Sequence, residues 1–150
     1  MLAAIIVAAI IGFRCPTKDP SEPIRFPADA GMANGEASEI ALQFEQHHKA
    51  WRTFADSPEM SLSSDTHQLT NHSDYKAIIA MGKRALPFVI DKLAKGDFLM
   101  VVAARRITGI DVVRASGKVL ESKELFGEQD EARLWVEWWQ QNRDKPEWQP

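Results

Sequence analysis

The side chains able to do chemistry fall in two places: Glu45 to His48, and Asp65 to His72, which together hold the four histidines of the chain. Glu45 and His48 stand at i, i+3. On a helix they share a face, so a carboxylate and an imidazole can reach one ion there. His67 and His72, with Asp65, can add ligands from a connecting segment. His47 and His48 are adjacent and diverge by about 100° around a helix, so the two cannot share one metal. None of these spacings is the tight ligand pairing of zinc sites. A structural role competes for each: His47 falls at the edge of an apolar stripe, and His72 is a turn residue just ahead of a helix. Ser63 or Ser64 beside His67 would pair a hydroxyl with an imidazole, but no nucleophile elbow accompanies them. Ser116-Gly117-Lys118 lacks the preceding Gly and following Ser/Thr of a phosphate loop. Cys15 is the lone cysteine, so neither an internal disulfide nor a thiolate cluster can form. No catalytic residue, metal or cofactor is assigned; a metal would draw on Glu45, His48, His67 and His72.

Binding residues are easier to read. Trp51, Trp135, Trp138 and Trp139 are many for a small protein to hide. Trp51 and Trp135 suit a core between the first and last helices. Trp138 and Trp139 diverge on their helix, so one of them must face partly outward. An exposed aromatic among charges is the composition of a protein-binding hot spot. Basic residues gather between Asp74 and Ile107: Lys76, Lys83, Arg84, Lys92, Lys95, Arg105 and Arg106. A nucleic-acid face needs such a stripe. The net charge of −3 and an acidic final helix argue against one, leaving Arg105 and Arg106 as candidate partner contacts.

The elements that must position these groups centre on Asp74 to Gly109. Tyr75, Ile78, Ile79 and Gly82 recur at i, i+3, i+4, i+7, one face of a helix. Ser73 or Asn71 is the expected cap. Gly82 ends that helix. Pro87 falls in the first turn of the next, where its missing N–H has no partner to lose. Leu86, Val89, Ile90 and Leu93 form a second stripe. Gly96 closes it, and Asp97 is placed to cap a third helix, Phe98 to Thr108, with Leu99, Val102, Ala103 and Ile107 facing inward before Gly109. The first two form an antiparallel hairpin.

Before this stretch, Glu36 to Ala55 carries Ile40, Phe44, His47, Trp51 and Phe54 on one helical face. Ser57-Pro58 stops it. Glu59 to His72 reads as a long polar connection. After it, Val112-Val113 reads as a short extended piece, Ser116-Gly117 as a turn and Lys118 to Phe126 as a helical turn. Glu128 to Asn142 is the last helix, acidic at its start and followed by Arg143 and Lys145, as the helix dipole favours. Ala132, Trp135, Val136 and Trp139 line one face.

Trp51, Leu62-Ser63-Ser64, Asn71-His72, Tyr75, Ile78-Ile79, Met81-Gly82, Ala85, Pro87, Ile107-Thr108-Gly109, Trp135 and Trp138 together resemble a family of small uncharacterised bacterial proteins with HEAT-like helices. The resemblance spans roughly residues 44 to 143. It departs at Ser73, where that family has Pro; over Phe98 to Ala104; at Val112-Val113, for an expected Pro-Val; and at Trp139, for Gly. It implies a fold and carries no chemistry.

At 150 residues the chain is one domain by length and can bury about two-thirds of its unfolded surface. Residues 1–13 are uncharged and apolar, short of the roughly 20 needed to span a bilayer. They match a signal-peptide core in length but have no Lys or Arg ahead of them. They read as a buried apolar helix or a misplaced start. The alternative is a membrane anchor, with Arg14 and Lys18 favouring a cytoplasmic body. Residues 14–35 hold Pro16, Pro20, Pro23, Pro27, Gly31 and Gly35 and read as an extended linker. The expectation is an all-α, HEAT-like domain of about five helices over residues 36–143, in antiparallel hairpins. An irregular N-terminal segment precedes it and residues 144–150 follow as a tail. The expected function is a non-catalytic, cytoplasmic protein-binding module, such as an adapter or an antitoxin- or immunity-like partner. The alternatives are a metal-dependent enzyme and a nucleic-acid binder.

Overall fold

The structure is a computed structural model and describes residues 34–61, 65–117 and 127–148. The apolar segment 1–13, the linker up to residue 33, Ser63, Ser64 and the helical turn expected over 118–126 lie outside the described residues.

The protein is all-α, with no strand among the described residues. Its long first helix, α1, is Asn34–Ala55, so the helix opens slightly ahead of the expected boundary. Two short helices follow, α2 (Pro58–Ser61) and α3 (Thr66–Thr70), then α4 (Ser73–Ala80). A 3-10 turn over Gly82–Ala85 leads into α5 (Leu86–Ala94). Next come α6 (Met100–Thr108), the one-turn α7 (Val112–Ala115) and α8 (Glu128–Asn142), with a 3-10 turn at Pro146–Trp148.

All five expected helices are therefore present, and three short ones are added. Among the described residues the polar connection carries helix: α2 and α3. The Asp65 carboxylate accepts the His67 N–H at 2.9 Å, capping α3. Trp51 Nε1 then donates to the Leu69 carbonyl at 2.9 Å, tying α3 to α1. Val112-Val113 is helical rather than extended, because Asp111 caps it through the Arg114 N–H at 3.1 Å.

Contacts fix the helix directions. Along α1, Glu36 meets Arg84, His47 meets Asp74, and Phe54 stacks on His72. Later residues of α1 thus meet earlier residues of the partner segment, so α1 and α4 run antiparallel. Phe44 stacks on Phe88, Glu45 pairs with Lys92 and His48 bonds Asp97, so one turn of α1 also touches α5 and the connection after it. The chain passes from α4 into α5 through the turn at Gly82. Gly82 has φ +64°, a backbone conformation that a Cβ penalises and Gly does not.

One core joins these helices. Phe44 and Trp51 from α1, Tyr75 and Ile78 from α4, Leu86, Val89, Ile90 and Leu93 from α5, and Trp135 and Trp139 from α8 are all buried in it. The α5 stripe is as the periodicity requires, and each such burial stabilises by about 1.5–3 kcal/mol. The α6 face is turned from expectation. Met100, Val101, Ala103 and Ala104 are buried, while Leu99, Val102 and Ile107 pack at the edge. Asp97 also departs from its expected role. Its carbonyl accepts the Met100 N–H at 3.1 Å, but its carboxylate reaches back to α1 instead of capping, so α6 begins later than its sequence signal. Likewise His72, not Ser73 or Asn71, caps α4, its Nδ1 accepting the Asp74 N–H at 3.3 Å.

Candidate functional site

The two histidines of α1 are pinned by carboxylates. On α1, adjacent His47 and His48 diverge as their spacing requires and take different partners. His47 Nδ1 lies 2.8 Å from Asp74 Oδ1, in the first turn of α4. His48 Nε2 lies 2.8 Å from Asp97 Oδ2, in the α5–α6 connection. The His48 ring stacks on Phe44, with centroids 5.8 Å apart, and Arg52 approaches the other oxygen of Asp97 at 3.6 Å. These pairs fasten α1 to the rest of the helices. Asp97 is the residue that sequence reading missed in this role; its type and place, after Gly96 and before a helix, signal a cap.

The metal candidates are not brought together. Glu45 is engaged by Lys92 at 2.8 Å, and His48 by Asp97. His67 is exposed on α3, and His72 is held between the Asp74 amide and the Phe54 ring. Among the described residues no group of three His, Cys, Asp or Glu side chains is placed to hold a metal ion.

The basic stripe is largely spoken for. Arg84 pairs with Glu36, Lys92 with Glu45, Lys95 with Asp91, and Arg105 with Glu131 at 2.5 Å. Arg105 and Arg106 are both exposed on α6. Such local pairing cancels the field that would draw a polyanion.

The tryptophans divide differently from one another. Trp135 and Trp139 are buried at 0% and 3% exposure. Trp139 therefore belongs to the core and is withdrawn as a partner contact, because the α8 face it occupies is the one packed against α5 and its neighbours. Trp138 is the outward member of the adjacent pair, and it is half-buried. Its ring meets Trp135 edge-to-face at 5.5 Å and 79°. On its other side it meets Trp148 edge-to-face at 5.0 Å and 79°. Both geometries are favoured for aromatic quadrupoles. Lys83, from the Gly82–Ala85 turn, completes the group. Its ammonium lies 5.2 Å from the Trp148 ring centroid and donates to the Glu147 carbonyl at 2.6 Å.

Residues 144–148 are thus not a free tail. The Trp148 N–H donates to the Lys145 carbonyl at 3.0 Å, closing a 3-10 turn that lays the indole against α8. The signal available in the sequence was the tryptophan itself, placed in an otherwise polar stretch after Pro146.

Among the described residues no helix is long and apolar enough to cross a membrane. No protein family, curated protein or solved structure matches the chain.

Proposed function

We propose that this chain is a non-catalytic, HEAT-like helical module that binds a protein partner through the face bearing Trp138. The observation that supports it is the half-buried state of Trp138 on α8, flanked by Trp135 and by Trp148, whose own ring meets the Lys83 ammonium. Binding hot spots are enriched in tryptophan, and a ring held by its neighbours before binding is preorganised. A preorganised ring loses little entropy when a partner covers it. The resemblance to small bacterial helical proteins belongs to the same proposal, as do the exposed Arg105 and Arg106 as rim contacts, whose weight would fall mainly on association rate.

The test is crosslinked capture from the native host with the full chain and its Trp138→Ala variant, read by mass spectrometry. A stoichiometric protein recovered with the unaltered chain and lost with Trp138→Ala, at equal helicity, is the expected result. Recovery of the same proteins by both would remove Trp138 from the binding face.

A further inference from the structure

The surface around Trp138 already has an occupant. Pro146–Trp148 sits on it through one aromatic edge contact, one cation–ring contact and one hydrogen bond. Pro146 and Glu147 are exposed, and Trp148 is only half-buried. The segment is thus attached by its single indole and one carbonyl, without the deep burial that holds Trp135 or Trp139.

We propose that Pro146–Trp148 is an intramolecular ligand for the Trp138–Lys83 surface, and that a partner protein displaces it with a tryptophan-bearing segment of its own. This rests on the binding reading above and goes further, by naming what the surface recognises. The chemistry is read from the occupant. Lys83 engages two successive features at once, the carbonyl of Glu147 and the ring face of Trp148, so it selects an indole that directly follows an accessible backbone carbonyl. Trp138 presents its edge geometry to that same indole. A lysine ammonium favours the electron-rich face of Trp over that of Phe or Tyr. The built-in segment competes at high effective concentration, because it is tethered only a few residues beyond α8. A partner must outbind it, which lowers the apparent affinity by the fraction of chains whose surface is free.

The experiment uses the full chain, its Trp148→Ala variant, and a fluorescently labelled peptide of residues 144–150 as the probe. Trp148→Ala empties the surface and is expected to bind the peptide at least about tenfold more tightly than the unaltered chain, in line with the tethered competitor. Adding Lys83→Gln to Trp148→Ala is expected to abolish the gain. Circular dichroism melts of each variant confirm that the helices persist. Equal binding by the unaltered chain and Trp148→Ala, or binding by neither, overturns the proposal. So does a dimeric unaltered chain that becomes monomeric on Trp148→Ala, since the occupant would then be the indole of a second copy. The two readings fail separately. Peptide binding by Trp148→Ala, with host capture indifferent to Trp138→Ala, keeps the intramolecular ligand and removes the partner face. Capture that needs Trp138, with no peptide binding, does the reverse.

Discussion

Tyr75 is the only tyrosine of the chain, and it is fully buried, its hydroxyl donating to the Leu99 carbonyl at 2.6 Å. Burial pushes its ionisation well above the ordinary phenol value, with Asp97 adding to the rise and an Ala103 backbone contact and Arg106 opposing it. The unfolded chain therefore loses this proton near pH 10, while the folded chain keeps it. Stability from this group is whole below pH 10 and falls above it, by about 1.4 kcal/mol per pH unit. Phenolate absorbance should thus rise together with unfolding, and the Tyr75→Phe chain should lose this component of the alkaline slope. At neutral pH the same substitution removes the hydroxyl's bond to the Leu99 carbonyl and should cost about 0.5–1.5 kcal/mol in urea unfolding. A phenolate that appears in a fully folded chain would show that the hydroxyl is accessible after all. The tryptophans give the second contrast at this scale. Trp139→Ala should cost about 3–5 kcal/mol by leaving a cavity, and Trp138→Ala only roughly 1 kcal/mol. Equal losses in denaturant melts would contradict the different burial of the two rings. Adjacent residues on a helix must diverge, so the sequence determined that one ring would point outward. The apolar stripe of Ala132, Trp135 and Trp139 places Trp139 on the inward face, which leaves Trp138 as the outward ring.

Helix ends were the most legible feature of the elements, because their chemistry is local. Gly82, Gly96 and Gly109 all take positive φ, as helix-closing glycines should, and Pro87 sits in the first turn of α5. Gly109, the C-cap of α6 at φ +70°, has open space where a Cβ would go, so its requirement is conformational alone. Gly109→Ala should cost about 1–2 kcal/mol, with Gly109→Asn closer to the native chain. Gly35 lies within α1 with nothing near its missing Cβ, and Gly35→Ala should stabilise by about 0.5 kcal/mol. Thermal melts of the three variants check both signs, and a stabilising Gly109→Ala would mean that the α6 terminus is not held left-handed. Caps chosen by side chains were less legible. His72 caps α4 and Asp97 leaves its cap position, because each answers to α1, which is distant in sequence. The short helices α2 and α3 escaped for a different reason: a turn or two of helix is too brief to show a period.

At the scale of the molecule, α1 decides whether the protein is one folding unit. It contributes Phe44 and Trp51, both fully buried in the same core that takes Trp135 and Trp139 from α8. It is also tied by polar contacts along its length: Glu36 to Arg84, His47 to Asp74, His48 and Arg52 to Asp97, and Glu45 to Lys92. The exposed pair of Glu36 and Arg84 contributes little by itself, and the apolar contacts carry most of the coupling. Removing α1 would uncover the face of α4 that packs on it, and the Phe88 side of α5 that meets Phe44. The protein should therefore unfold in one step. Tryptophan fluorescence, which reports α1 through Trp51 and α8 through Trp135 and Trp139, should follow the same curve as helicity, with calorimetric and van't Hoff enthalpies in agreement. Phe44→Ala should shift both curves together by about 3–5 kcal/mol. If α1 were a detachable arm, that variant would lose the Trp51 signal at low denaturant while the α8 tryptophans and most helicity persisted, and the ties at Asp74 and Asp97 would be surface contacts between two separate units.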